Sequence, residues 1–183
     1  MKIKISKERN TKILTVEVKS INLLGLIWYN IYMKKLRVAF VCLGNICRSP
    51  LAEYLFKDML KKQGVDTVEV ESFGTSNENY GCGMHSKSKL ALLTHGIIYP
   101  GGHRARGLQK EDYNDFDYFL CMDSYNLSDS KRIFGKEEKV HRLLDYTDFP
   151  RDVADPWYTG NFEKAYDDIL EGCENFMKKV VLR

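Results

Sequence analysis

The sequence predicts an α/β fold in which a parallel sheet is covered by helices on both faces. From Leu36 onward, short apolar runs alternate with longer stretches of helical period, and turn residues mark the changes. The 183 residues, 44% of them apolar and only four of them proline, are enough for one compact core. No internal repeat, low-complexity tract or interdomain linker interrupts residues 36–183.

The elements follow in order. Residues 36–42, Leu-Arg-Val-Ala-Phe-Val-Cys, form the first predicted strand. A helix is predicted over 50–63, where Leu51, Ala52, Leu55, Phe56, Met59 and Leu60 share one face. Ser49 suits its N-cap and Pro50 its first position. Strands are predicted at 68–73, 118–122 and 140–144, and further helices near 85–95, 108–115, 124–133 and 161–180. In an open parallel sheet, ligands gather at the carboxyl ends of the strands, which is where Cys42 lies.

Composition excludes several function classes. Residues 1–35 hold eight of the 28 Lys and Arg but two of the 25 Asp and Glu. The basic balance therefore belongs to the extension, and the rest of the chain, twenty basic against twenty-three acidic side chains, is slightly acidic. No basic stripe with interleaved aromatics runs through the body, which argues against a nucleic-acid binder. The apolar run 21–32 is too short for a membrane span of about 20 residues, so no membrane insertion is expected, and no small-residue cleavage site follows it. Five cysteines without paired spacing point to a reducing compartment such as the cytoplasm. No Cys-x2-Cys or His-x3-His cluster suggests a metal, and no cofactor is expected.

The chemistry concentrates in residues 41–50, Val-Cys-Leu-Gly-Asn-Ile-Cys-Arg-Ser-Pro. Cys42 and Arg48 stand at the two ends of a loop between the first strand and the first helix. A cysteine reacts as its thiolate, and backbone N–H groups, a helix N-terminus and an arginine all favour an anion there. The same donors suit the oxygens of a phosphate dianion. The alternative for Cys42 is a buried structural thiol, which leaves the run Gly44, Asn45, Arg48, Ser49 unexplained. A second segment, Asp155-Pro156-Trp157-Tyr158, offers a carboxylic acid able to protonate a leaving oxygen. Taken alone, Asp-Pro also reads as a surface turn, and Asp148 and Asp152 are nearby carboxylates.

The Cys-x5-Arg-Ser loop together with the later Asp-Pro and two aromatics resembles the low-molecular-weight protein tyrosine phosphatases over residues 36–183. That resemblance implies a four-stranded parallel sheet in the order 2-1-3-4. It implies that Cys42 is the nucleophile, Arg48 the phosphate ligand and Asp155 the general acid and base. It further implies that Leu43, Gly44, Asn45, Ile46 and Cys47 line the substrate site, that Ser49 hydrogen-bonds the thiolate, and that Ser72 and His103 are the polar neighbours of Asn45. For His103 the alternative is a surface histidine after Pro100-Gly101-Gly102, while His85, His95 and His141 stand in no motif. Trp157 and Tyr158 are expected to sandwich a phenyl ring, the alternative being that both are core. Where relatives carry an aromatic at the rim, this chain has Thr75-Ser76-Asn77-Glu78-Asn79-Tyr80, so Glu78 departs from the pattern. Cys47 is either a redox partner for Cys42 or a packing residue.

The expected partners are phosphotyrosine-containing proteins, including, for a bacterial source, a tyrosine kinase. Three other readings compete. Arsenate reductases of related fold need two further cysteines; Cys121 suits the first, but Ser128 occupies the second. Arginine phosphatases tend to carry threonine where this chain has Ile46. A phosphocysteine carrier or phosphoprotein-binding module has no use for Asp155. Residues 1–35 are an extension with two readings. Met33-Lys34-Lys35 looks like a natural translation start, and the alternating stretches 2–5 and 14–18 suit a β-hairpin or a partner surface.

Overall fold

The computed structural model describes residues 2–8, 11–17 and 35–183. Two compact units divide between Lys34 and Lys35. In the first, β1 (Lys2–Glu8) pairs antiparallel with β2 (Thr11–Glu17), with Ile3 opposite Val16 and Ile5 opposite Leu14. This is the hairpin arrangement of the alternating stretches. The run 21–32 and the suggested start at Met33 lie outside the described residues.

In the second unit, β3 (Leu36–Cys42), β4 (Val68–Gly74), β5 (Tyr118–Cys121) and β6 (Val140–Arg142) form a parallel sheet in spatial order β4-β3-β5-β6. Counted within this unit, that is the expected order 2-1-3-4. β3 is central, and its side chains alternate between two cores because a strand has a period of two. Val38, Phe40 and Cys42 pack in the larger core with Leu55 and Phe56 of α1 (Arg48–Gln63), Leu92 of α2 (Ser86–Thr94), and Ile169 and Phe176. Ala39 and Val41 pack on the other face with Tyr113 of α3 (Asp112–Asp115) and Phe119, together with Phe134 of α4 (Ser124–Phe134). With both faces covered, β3 reads as a continuous apolar run, as strands of buried parallel sheets do. A one-turn α5 (Pro156–Thr159) precedes α6 (Phe162–Phe176), which continues into a π-helical turn, Met177–Val181. Among the described residues no helix is long and apolar enough to cross a membrane.

Several expected boundaries shift, each for a backbone reason. The helix predicted over 108–115 shrinks to α3, because Arg106 O and Leu108 N are engaged by Gly74 at the end of β4. The strand predicted over 140–144 stops at Arg142, where the Asp145 carboxylate accepts from the Arg142 backbone N–H and starts a 3-10 turn, Leu143–Tyr146. The first helix begins at Arg48, with Cys47 at its N-cap, so Ser49 is not the cap and Pro50 is not the first helical residue. Cys47 supplies no side-chain cap bond.

Candidate active site

The loop from Cys42 to Arg48 leaves β3 at the carboxyl end of the central strand and enters α1. Its carbonyls point outward: Thr75 N donates to Cys42 O, Ser76 N to Leu43 O and His85 N to Ile46 O. His103 Nε2 lies 2.8 Å from Asn45 O; a carbonyl only accepts, so this ring nitrogen carries the proton. Among the described residues, none of the backbone N–H groups of residues 44–47 is given to a protein acceptor. Outward carbonyls and unpaired amides on Gly44, Ile46 and Cys47, which line the cleft, suit an anion.

Asn45 holds this curvature at φ 53°, a left-handed conformation that asparagine tolerates better than other non-glycine residues. Its buried side chain is fully used. Nδ2 donates to Ser49 Oγ and to Ser72 Oγ, each at 2.9 Å, and Oδ1 accepts from Arg106 N. Ser72 Oγ in turn donates to Glu53 Oε2 at 2.6 Å. Ser49 Oγ stands 3.0 Å from Cys42 Sγ and 3.1 Å from Phe73 O. Its single proton serves one of them at a time, and a thiolate is the stronger acceptor. His103 is buried, so the surface-histidine alternative fails. Asn45 itself does not reach the cleft, because its side chain points into the network behind the loop.

Gly74 ends β4 directly behind the loop. A Cβ there would come within 2.6 Å of Leu43 O and 2.8 Å of Ser76 O, both backbone atoms that cannot rotate away. Gly74→Ala is therefore expected to destabilise the fold by about 1–3 kcal/mol and to lower activity by displacing the loop. Urea unfolding and kcat/KM on one preparation would check this; an unchanged unfolding midpoint would contradict it.

A cleft of about 530 Å³ opens over the loop. Its base holds Cys42 and Arg48, 3% and 4% exposed, with Cys47 beside them. Leu43, Gly44 and Ile46 add the loop wall, Glu78 and Asn79 line it from the β4–α2 segment, and Asp155, Trp157 and Tyr158 line it from the start of α5. Arg48 is held from three sides: Nη1 donates to Asp123 Oδ2 at 2.7 Å and to Val153 O, and Nη2 donates to Asp155 Oδ2 at 2.6 Å. Burial works against its charge, but the neighbouring Cys42, Asp123 and Asp155 outweigh it and raise its pKa further. Burial, together with the negative charge of Cys42 and Asp155, pushes the Cys47 thiol up to about 12, so Cys47 is protonated at neutral pH.

The structure separates the three aspartates that sequence left open. Asp155 lines the cleft, with Oδ1 accepting from Trp157 N as the cap of α5. Asp152 is tied to Ser124 and Arg142; burial opposes its charge, but those bonds win and hold its pKa below the ordinary value. Asp148 is exposed and lines no part of the cleft. Trp157 and Tyr158 are 65% and 82% exposed, which excludes the core alternative. Trp157 is steadied by an edge contact from the His85 ring, which also stacks on Phe162.

Three contributors were missed from sequence. Asp123 caps α4 by accepting from Asn126 N, a signal present in the Asp-Ser after β5. Glu53 sits one turn into α1 with nothing local to mark it as buried. His85, which stands in no motif, caps α2, and its backbone N–H also donates to Ile46 O. Among the described residues, no group of three or more His, Cys, Asp or Glu is placed to hold a metal ion.

A family model described as low molecular weight phosphotyrosine protein phosphatase matches residues 37–182. The low molecular weight protein-tyrosine-phosphatase YfkJ of Bacillus subtilis is 38% identical over 148 residues, covering 78% of this chain and 94% of that protein. PtpA of Staphylococcus aureus is 38% identical over 146 residues, covering 79% and 93%. Among solved structures, that of Bacillus subtilis YfkJ superposes with a TM-score of 0.77 at 37% identity, covering 80% of this chain and 95% of its own. DARP, described as a drosophila arginine phosphatase, superposes with a TM-score of 0.72 at 30% identity, covering 78% and 96%.

Proposed function

Because this chain belongs to the low molecular weight phosphotyrosine protein phosphatase family, we propose that it hydrolyses phosphotyrosine in proteins through a phosphocysteine intermediate. The observation that carries this reading is the convergence of Cys42, Arg48 and Asp155 on one cleft whose rim is Trp157 and Tyr158. Cys42 attacks phosphorus in line with the departing phenolic oxygen. Arg48 and the unpaired backbone amides of Gly44, Ile46 and Cys47, which line the cleft, hold the equatorial oxygens. A dianion that takes over the Arg48 donors releases Asp155 Oδ2 from its 2.6 Å ion pair; beside the dianion the freed carboxylate takes up a proton from solvent and delivers it to the leaving oxygen. In the second step the ionised Asp155 takes a proton from water, the water attacks phosphorus, and Cys42 leaves as a thiolate that Ser49 Oγ stabilises by donating to it. Arg48 and the amides neutralise the charge, so no metal or other cofactor is required.

Leaving-group choice follows from depth. Cys42 is 3% exposed at the base, so the substrate must be long enough to reach it, which favours a phenyl phosphate over phosphoserine. The apolar side chain of Ile46 and the two aromatic rings suit a phenyl ring better than a guanidinium, which sets tyrosine ahead of arginine. A phosphorylated tyrosine kinase is one substrate of this chemistry in a bacterial cell. A reducing cytoplasm suits a nucleophile that must remain a thiolate. Under a hydroperoxide, Cys42 would become a sulfenic acid and condense with the Cys47 thiol, releasing water; both sulfurs lining one cleft supports that role. Residues 1–35 are proposed to be an extension to a catalytic domain of residues 36–183 that offers a hairpin to a partner.

The test is steady-state hydrolysis of matched phosphotyrosine, phosphoarginine and phosphoserine peptides under reducing conditions with EDTA. The expected result is a kcat/KM for phosphotyrosine at least about a hundredfold above that for phosphoserine, and above that for phosphoarginine. Preference for phosphoarginine, or inactivity on all three, would overturn the reading.

A further inference from the structure

The rim of the cleft carries one charged group with no assigned use. Of the charged side chains lining it, Arg48 and Asp155 are paired with each other. Glu78 is exposed. Its backbone N–H donates to Ser76 Oγ, and its carboxylate meets only the Asn79 amide, at 3.5 Å. Among the described residues it enters no ion pair. Its position is nonetheless defined: a Cβ built on Gly44 would lie 2.4 Å from Asn79 Nδ2 and 3.7 Å from Glu78 Oε1. The carboxylate therefore stands over the Gly44 end of the loop, whereas Trp157 is tied through His85 to the Ile46 end.

A carboxylate beside a site for a phosphate dianion repels the substrate unless the substrate brings a compensating cation. The deep ligands are committed to the dianion itself, and Arg48 also faces Asp123, so none of them is left to neutralise Glu78. When a phosphotyrosine side chain fills the cleft, the residues on either side of it in the peptide lie against the rim. A Lys or Arg there meets Glu78, and the exposed faces of Trp157 and Tyr158 also attract cations. An Asp or Glu there meets like charge.

We propose that Glu78 is a specificity-determining residue that selects phosphotyrosine sites flanked by Lys or Arg and rejects those flanked by Asp or Glu. This rests on the phosphotyrosine reading above and narrows its substrate class. The interaction is a rim ion pair, so it acts through kcat/KM and weakens with salt.

Three phosphotyrosine peptides differing only in flanking Lys, Ala or Glu test it, assayed on the full chain and on Glu78→Gln and Glu78→Lys. The wild type is expected to favour the Lys-flanked over the Glu-flanked peptide by about tenfold at low ionic strength, equivalent to about 1.4 kcal/mol, with the ratio shrinking as salt is added. Glu78→Gln should bring the ratio within about twofold and Glu78→Lys should reverse it. Equal rates for the three peptides in wild type, or a preference that survives in Glu78→Gln, would overturn the assignment while leaving phosphotyrosine hydrolysis intact. If Glu78→Gln instead impairs a phosphoarginine peptide and leaves the phosphotyrosine ratio unchanged, the carboxylate reads the leaving group's own guanidinium and the flanking-residue inference falls. Turnover of none of the phosphotyrosine peptides would remove the underlying reading and this inference with it.

Discussion

Cys42→Ser is expected to reduce kcat on a phosphotyrosine peptide by about 10⁴-fold or more, leaving the fold and phosphate binding in place. The substitution exchanges sulfur for oxygen in a group that is 3% exposed and 3.0 Å from Ser49 Oγ, so packing changes little. A serine hydroxyl has no adjacent base here to activate it, because the nearby Ser49 and Arg48 are donors. The proposed phosphate ligands, Arg48 and the amides of Gly44, Ile46 and Cys47, are untouched, so inorganic phosphate should bind within a few-fold of wild type. Acid-quench mass spectrometry should find a phosphoryl group on the wild-type chain during turnover and none on the variant. Retention of a tenth of the activity by Cys42→Ser would eliminate Cys42 as the nucleophile.

The second large effect concerns Asp155. Asp155→Asn is expected to lower kcat by about 10²–10³-fold on a phenolic leaving group, the usual contribution of a positioned acid and base. The loss should be smaller on an aryl phosphate whose leaving oxygen departs without a proton. Asparagine is preferable to alanine as a probe. Asp155 Oδ1 caps α5 through Trp157 N, and asparagine can keep that bond, whereas alanine forfeits about 1 kcal/mol of capping as well. A structural effect alone would slow both leaving groups equally, and equal slowing would count against the acid assignment. Asp152→Asn serves as the contrast. Its carboxylate braces Ser124 and Arg142 outside the cleft, so its effect should appear in stability and be independent of the leaving group.

Much of the site was legible in sequence because its chemistry is contiguous. Cys42, Arg48 and Ser49 lie within one strand-loop-helix, where spacing alone puts a sulfur and a guanidinium at two ends of one turn. The alternation of short and long apolar segments likewise predicted the sheet and its two helical layers. Element ends were less legible. Gly107 hints at a break before Leu108, but nothing local reveals that the backbone of Arg106 and Leu108 would bond to Gly74, and the choice of Ser49 as cap followed local preference. In the fold, that hydroxyl is drawn to Cys42 and Asn45 instead.

By itself the sequence determined the strand-loop-helix that carries Cys42 and Arg48, the Asp-Pro segment and an α/β architecture, since each depends on residues close along the chain. Only the tertiary structure decided which of three aspartates shares the cleft with Cys42, why Asn45 can hold φ 53°, and what steadies Arg48. Those answers come from Glu53, Ser72, His103, Asp123 and Asp155, residues on separate segments that meet because β4 and β5 flank β3 in parallel register. Hydrogen bonds across such distances leave no periodicity in the chain, because each partner is specified by its place in the sheet and not by its neighbours in sequence.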